Sequence, residues 1–196
     1  MNKVYLISDT HFNHYNLIKG TSTWEDKSNC RDFAYVEDHD NLLLENINNL
    51  VMPEDTLYHL GDFTVGSMPK FNKVDAYYHF RNRIKCRNII YVRGNHSLGL
   101  EALKDINIFA GIYDYYELKY KSNFIVMSHY SFRTWNHMSK GSICCFGHSH
   151  TPNYKDSIYG RSMDIGLDGN NFKPWSLDDV IEILKQQPSL KEGHHV

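Results

Sequence analysis

Five short clusters of metal-ligating side chains punctuate the chain in order: Asp9-Thr10-His11, Gly61-Asp62, Gly94-Asn95-His96, Ser128-His129 and Gly147-His148-Ser149-His150. Asp, Asn and His offer oxygen and imidazole nitrogen, a donor set that suits divalent cations. A carboxylate can bridge two cations, and Asp62 is the candidate for that place. Asp9, His11 and His150 would complete one metal; Asn95, His129 and His148 would complete the other. Two metals roughly 3.5–4 Å apart lower the pKa of a bridging water and clamp phosphoryl oxygens, which is phosphate-ester hydrolysis. The metal-bridging hydroxide would attack phosphorus in line with the leaving oxygen. His96, one residue beyond Asn95, is placed to protonate the leaving alkoxide or to stabilise the phosphorane charge.

Residues so far apart in sequence act together only if the elements before them deliver them to one place. Val4-Tyr5-Leu6-Ile7 reads as a buried strand ending at Asp9. Residues 56 to 60 read as a strand ending at Gly61-Asp62, 88 to 92 as one ending at Gly94-Asn95-His96, and 143 to 146 as one ending at Gly147-His148. Residues 112 to 120 and 123 to 128 read as neighbouring strands, the second delivering His129, and 162 to 165 as a further strand. Helices are expected within 36 to 50, from Pro69 to about 86, over 98 to 105, and over 177 to 186 behind an N-cap at Ser176. In an open α/β sheet, ligands bind beyond the carboxyl ends of the strands. The glycines at 61, 94 and 147 would let the backbone turn sharply beside the metals.

The 196 residues favour one domain, over 1 to 187, with a frayed tail from 188 to 196. A net charge of -2 gives no global signal for nucleic acid or a membrane surface. The cysteines at 30, 86, 144 and 145 have no C-x-x-C spacing and read as reduced thiols. With no signal peptide and no apolar stretch near the ~20 residues that span a bilayer, a cytoplasmic protein is expected.

A G-H-x-H arises by chance in roughly 0.04 of chains of this composition, and a G-N-H at a similar rate. Both in order, behind apolar runs and a D-x-H, make coincidence a weak explanation. The series resembles the calcineurin-like metallophosphoesterase superfamily, in its compact bacterial and phage-type branch. Asp9 to His14, Tyr58 to Phe63, Ser128-His129-Tyr130 running to Trp135, and Asp164 to Asp168 with Pro174 shortly after carry the resemblance, which covers about residues 3 to 184. It implies an α/β fold: a four-layer αββα sandwich, two mixed central β-sheets flanked by helices, with a dinuclear site at the strand carboxyl ends. It also implies the ligand set above, Asp62 as the bridge and His96 as the acid. Two positions depart from the pattern. Ser97 stands where an acid usually follows Gly-Asn-His, and Ser131 where proline is common.

Other residues have weaker claims. His14 could contact the substrate phosphate or base, or be a solvated loop histidine. Arg133 could clamp a phosphate, whereas Trp135 reads more readily as a loop anchor than as a base platform. His59 reads as a core or supporting residue, Arg93 as a partner for a carboxylate, and Asp164 and Asp168 as structural. The basic stretch from Lys70 to Arg93 reads more readily as a solvated helix face than as a nucleic-acid footprint. The expectation is a phosphodiesterase acting on a nucleotide or nucleic-acid type of substrate, with two divalent ions, Mn first and Fe or Zn compatible. A phosphomonoesterase or protein phosphatase, and a non-catalytic interaction scaffold, are the alternatives.

Overall fold

Val4–Ile7 forms β1, with Tyr5 and Ile7 facing one core and Leu6 the other, the period of two that a strand imposes. The computed structural model describes residues 2–65 and 72–191. Helix α1 (Val36–Leu50) follows, then β2 (Thr56–His59), α2 (Lys73–Arg83), β3 (Asn88–Val92), α3 (Leu100–Ile106) and β4 (Gly111–Tyr113). The second half holds β5 (Tyr115–Tyr120), β6 (Asn123–Ser128), β7 (Ile143–Phe146), β8 (Ser162–Asp164), β9 (Trp175–Ser176) and α4 (Leu177–Lys185).

The strands form two mixed sheets. The first runs β4-β3-β2-β1-β9, parallel except for β9. The second runs β5-β6-β7-β8, parallel except for β5. One core lies between the first sheet and the helices that flank it, where Leu43, Ile47, Ala76, Tyr77, Phe80 and Leu103 meet Ile7, Leu57, Ile89 and Tyr91. A second core lies between the sheets, where Leu6, Val92, Ile125, Met127, Cys145 and Met163 meet Val180, Ile181 and Leu184 of α4. Each such Leu or Ile, fully buried, stabilises the fold by about 1.5–3 kcal/mol before entropy is counted. The outer face of the second sheet is covered by the segment after β6, through Trp135 and Met138 on Val126 and Cys144.

The run at 112 to 120 is not one strand but two, in different sheets. Tyr113 still accepts the Arg93 backbone N–H in the first sheet, and Tyr115 already pairs with Ser128 in the second. Between them Asp114 takes the Arg93 guanidinium, with Nε at 2.7 Å. Residue types do not reveal a change of strand partner. Strand β9, two residues long, is too short to show any period. Ser176 does stand at the N-cap of α4, but its side chain makes no capping bond; Asp178 and Asp179 supply the negative charge of the first turn instead. Pro69 lies outside the described residues, and α2 begins at Lys73, behind Asn72, whose side chain accepts the Asp75 N–H. Among the described residues no helix is long and apolar enough to cross a membrane.

Candidate metal centre

Parallel strands β1, β2, β3, β6 and β7 all end at one edge of the molecule, and the five clusters stand on the loops that follow them. The first two loops stay laddered past the strands. Asp9 donates its N–H to Gly61 O at 3.1 Å, and His11 to Asp62 O at 2.9 Å. The two sheets meet here, through a parallel bridge between Ser8 and Gly166.

The backbone under this edge is strained. Asp9, His11, Asp62, His148 and His150 all have positive φ, between 45° and 71°. Left-handed geometry at a non-glycine residue costs on the order of 1–3 kcal/mol and persists only where the surroundings impose it. Of the three glycines expected to permit sharp turns, Gly61 has φ +103°. Gly94 and Gly147 serve close approach instead: a Cβ there would land on Asp62 Oδ1 or on Ser8 Oγ.

Asp9, His11 and His150 converge with their ring and carboxylate tips together. His11 Nε2 and His150 Nε2 lie 3.1 Å apart. His150 donates from Nδ1 to Asp168 Oδ2 at 3.0 Å, which turns Nε2 toward His11 and Asp9; burial lowers its pKa, but the Asp168 bond and the Asp9 charge raise it above the ordinary value. Asp9 Oδ2 accepts the His148 N–H, while Asp9 Oδ1 is buried without any partner, 3.9 Å from His11 Nε2 and from His150 Nε2. Burial pushes the Asp9 carboxyl up to about 7, against the opposing pull of His150. Burial, helped by the charges of His150 and Arg31, holds His11 well below the usual imidazole range. An orphaned carboxylate oxygen facing two imidazole Nε2 atoms is the environment a cation satisfies.

Asn95, His129 and His148 form a second group. Asn95 Oδ1 lies 2.9 Å from His129 Nε2 and 2.9 Å from His148 Nδ1. His129 commits Nδ1 to Leu60 O at 2.8 Å, so its Nε2 also points inward as a lone pair. Asp62 sits between the groups, with Oδ2 3.7 Å from His11 Nε2 and 3.5 Å from His129 Nε2. Its other oxygen accepts the His96 N–H at 2.8 Å.

His96 faces the same cleft, its ring 5.2 Å from that of His11. Ser97 does not touch that ring. Its hydroxyl accepts the Gly94 N–H and bonds the Tyr91 hydroxyl at 2.6 Å, bracing the turn from below. His14 is half-buried, between His96 at 6.0 Å and Trp24 at 6.0 Å, not a solvated loop residue. Burial, then the charge of His96, lowers its pKa to about 4. Arg133 stands on the wall of a neighbouring cleft, of about 590 Å³, which shares Ser149 with the cleft over the cluster.

Arg31 had no signal in sequence, because it lies in a stretch without periodicity and alone looks like a surface cation. It is buried, and every guanidinium nitrogen is engaged. Nε and Nη2 grip Asp168 at 2.8 and 2.7 Å, Nη2 reaches Asp9 O, and Nη1 reaches Thr10 O and His39 Nε2. Asp168 therefore positions His150 rather than merely shaping a turn. Burial alone would raise its carboxyl, but Arg31 and His150 hold it well below the usual range. Asp164 does shape the turn, accepting the Gly166 and Thr151 N–H groups. His59 is buried against Thr10, and Trp135 anchors its loop by donating to Ser142 O. In the basic stretch, Arg81 is engaged by the carbonyls of Ile84, Arg87 and Ile108, and Arg83 by Asn41, while Lys85 and Arg87 are exposed and Lys70 lies outside the described residues.

The model of the calcineurin-like phosphoesterase family matches residues 2–195, and the chain belongs to that family. Its class of activity is phosphate-ester hydrolysis, and the resemblance read from the motifs holds over nearly the whole chain. An uncharacterized protein of Methanocaldococcus jannaschii is 29% identical over 190 residues, covering 95% of this chain and 93% of that protein. A solved structure, a protein of unknown function from Aquifex aeolicus, is similar with a TM-score of 0.66 and 27% identity, over 93% of this chain and 100% of that one.

Proposed function

We propose that this chain is a phosphodiesterase that works with two divalent cations, Mn foremost, and acts on nucleotide-type diesters. The observation that carries the reading is the convergence of Asp9, His11 and His150 beside Asp62, and of His129 with Asn95 on its other side, with the Nε2 atoms of His129 and His150 directed inward. Asp9, His11 and His150 would hold one ion, Asn95, His129 and His148 the other, and Asp62 both. When bound, the pair supplies an activated water and neutralises phosphoryl charge.

The chain's own residues do the rest. Asp62 Oδ1 holds the His96 backbone, so the same carboxylate fixes the metal bridge and the acid. His96 delivers a proton to the leaving oxygen. His14, uncharged near neutral pH with a pKa of about 4, offers a neutral hydrogen-bonding edge beside it. The diester preference rests on room: the cleft of about 680 Å³ extends past the cluster to Trp24 and Phe172, enough for a second ester substituent.

The test compares bis-p-nitrophenyl phosphate with p-nitrophenyl phosphate on metal-stripped protein, before and after Mn is restored. Mn-dependent turnover that favours the diester is expected. A preference for the monoester would make the protein a phosphomonoesterase, and a chain that binds no metal would be an interaction scaffold.

A further inference from the structure

The cleft has a wall that the hydrolytic chemistry does not use. Leu17, Trp24, Cys30, Pro152 and Phe172 line it, beyond His14 and away from Asp62. Trp24 is 46% exposed, although Trp135 and Trp175 are buried. The loop that carries it is braced. Thr23 donates both its N–H and its hydroxyl to Asn16 Oδ1, at 3.0 Å each, and the Trp24 N–H goes to the hydroxyl of buried Ser22. An exposed indole on a loop braced beforehand spends less entropy when a ligand covers it.

From these observations we infer that Trp24 is the platform of a nucleobase subsite, and that the substrate is a small nucleotide diester. The inference rests on the phosphodiesterase reading above. Trp24 is one ring removed from the cluster: His14 stands between, 6.0 Å from the indole and 5.3 Å from His11. A phosphate on the cluster would carry its ribose past His14 and bring the base over the indole. Stacking on an aromatic face accepts any base. The exposed amide of Asn29 on the same wall offers a donor and an acceptor for the base edge, which a plain aryl group would not need. Glu25 and Asp26 follow Trp24 in the chain, and both are exposed. Their charge opposes a phosphodiester backbone running across Trp24, so a single base occupies the subsite and a nucleic-acid strand does not.

The test measures binding, so it does not depend on turnover. Adenosine 5′-monophosphate and ribose 5-phosphate share the phosphate and differ by the base. On Mn-loaded protein the first is expected to bind about tenfold tighter by calorimetry. Trp24→Ala should bring the two affinities together, and Trp24→Phe should keep most of the gap. In the unmutated protein, adenosine 5′-monophosphate should slow maleimide labelling of Cys30 and ribose 5-phosphate should not. Equal affinities for the two probes, or an undiminished gap in Trp24→Ala, overturn the subsite. Equal affinities in a protein that hydrolyses diesters leave the proposed function standing. A tenfold gap in a protein that hydrolyses none sinks that function alone.

Discussion

The two halves of the cluster are built differently. Asp9 and His11 are buried, and His150 is backed by Asp168 and Arg31, a charge-balanced network reaching back to the carbonyls of Asp9 and Thr10. Asn95 and His148 are exposed, and what they share is Asn95 Oδ1 contacting both imidazoles. One half is fixed by the fold whatever it binds. In the other, His129 is buried and held through Leu60 O but Asn95 and His148 are exposed, so a cation there would contribute more to holding those two. Asp62 is the member common to both.

Breaking that common member should erase the distinction. Asp62→Ala is expected to lose both metals by elemental analysis and activity by more than about 10³-fold, a loss as large as removing a principal electrostatic stabiliser. If one equivalent of metal survives with measurable turnover, Asp62 serves one half only.

His96 should spare both halves. Its ring lies 5.2 Å from that of His11, and among the described residues no hydrogen bond from it supports another proposed ligand. His96→Ala should keep its metals and lose about 10²–10⁴-fold in kcat on a diester with a poor leaving group. With p-nitrophenolate, which departs without a proton, the loss should be far smaller. Equal losses on both substrates would remove its assignment as the acid.

The sharper contrast comes from paired variants. Arg31→Met leaves the Asp168 charge buried without its partner, which should cost about 3–5 kcal/mol of stability in urea denaturation. It should also weaken one metal site about 10–100-fold, as losing a supporting partner does. Arg31→Lys should recover little of this, since an ammonium cannot reproduce the fork on Asp168. Asn95→Ala should weaken the other site and leave stability within about 0.5 kcal/mol, as at an exposed position. Similar urea midpoints for Arg31→Met and Asn95→Ala would mean the halves do not differ as described.

The same asymmetry decided what could be read from sequence. The five clusters were legible because each sits where an apolar run stops, and a run's end needs no long-range information. The proposed ligands of both halves were named from sequence on equal terms. What fixes one half was hidden. Arg31 acts over 137 residues of sequence on Asp168, from a loop whose conformation no local pattern dictates. Trp24 was overlooked for the same reason. The junction at Asp114 was missed because alternation continues across a change of sheet. Ser97, a departure from the family pattern, proves to brace the Gly94 turn, a role that needed the Tyr91 hydroxyl beneath it to be seen.

The smallest effect concerns the floor beneath both halves. Thr10 stands between Asp9 and His11 and donates its hydroxyl to Phe63 O at 2.7 Å, so His59 Nε2 must donate to Thr10 Oγ1. His59 Nδ1 is then bare and buried without a partner. Burial lowers its pKa to about 3, and His129 adds to the shift. The unfolded chain therefore binds one proton more at this residue between pH 6.5 and about 3. Its contribution to stability is complete above pH 6.5 and is lost as the pH falls through that window. His59→Gln keeps a donor for Thr10 and removes the titration. In metal-free protein it should flatten the fall of stability below pH 6.5 by up to about 1.4 kcal/mol per pH unit. An unchanged slope in urea denaturation at pH 5 and 7 would mean that His59 already takes up its proton in the folded state. The floor under Thr10 would then be looser than its hydrogen bonds imply.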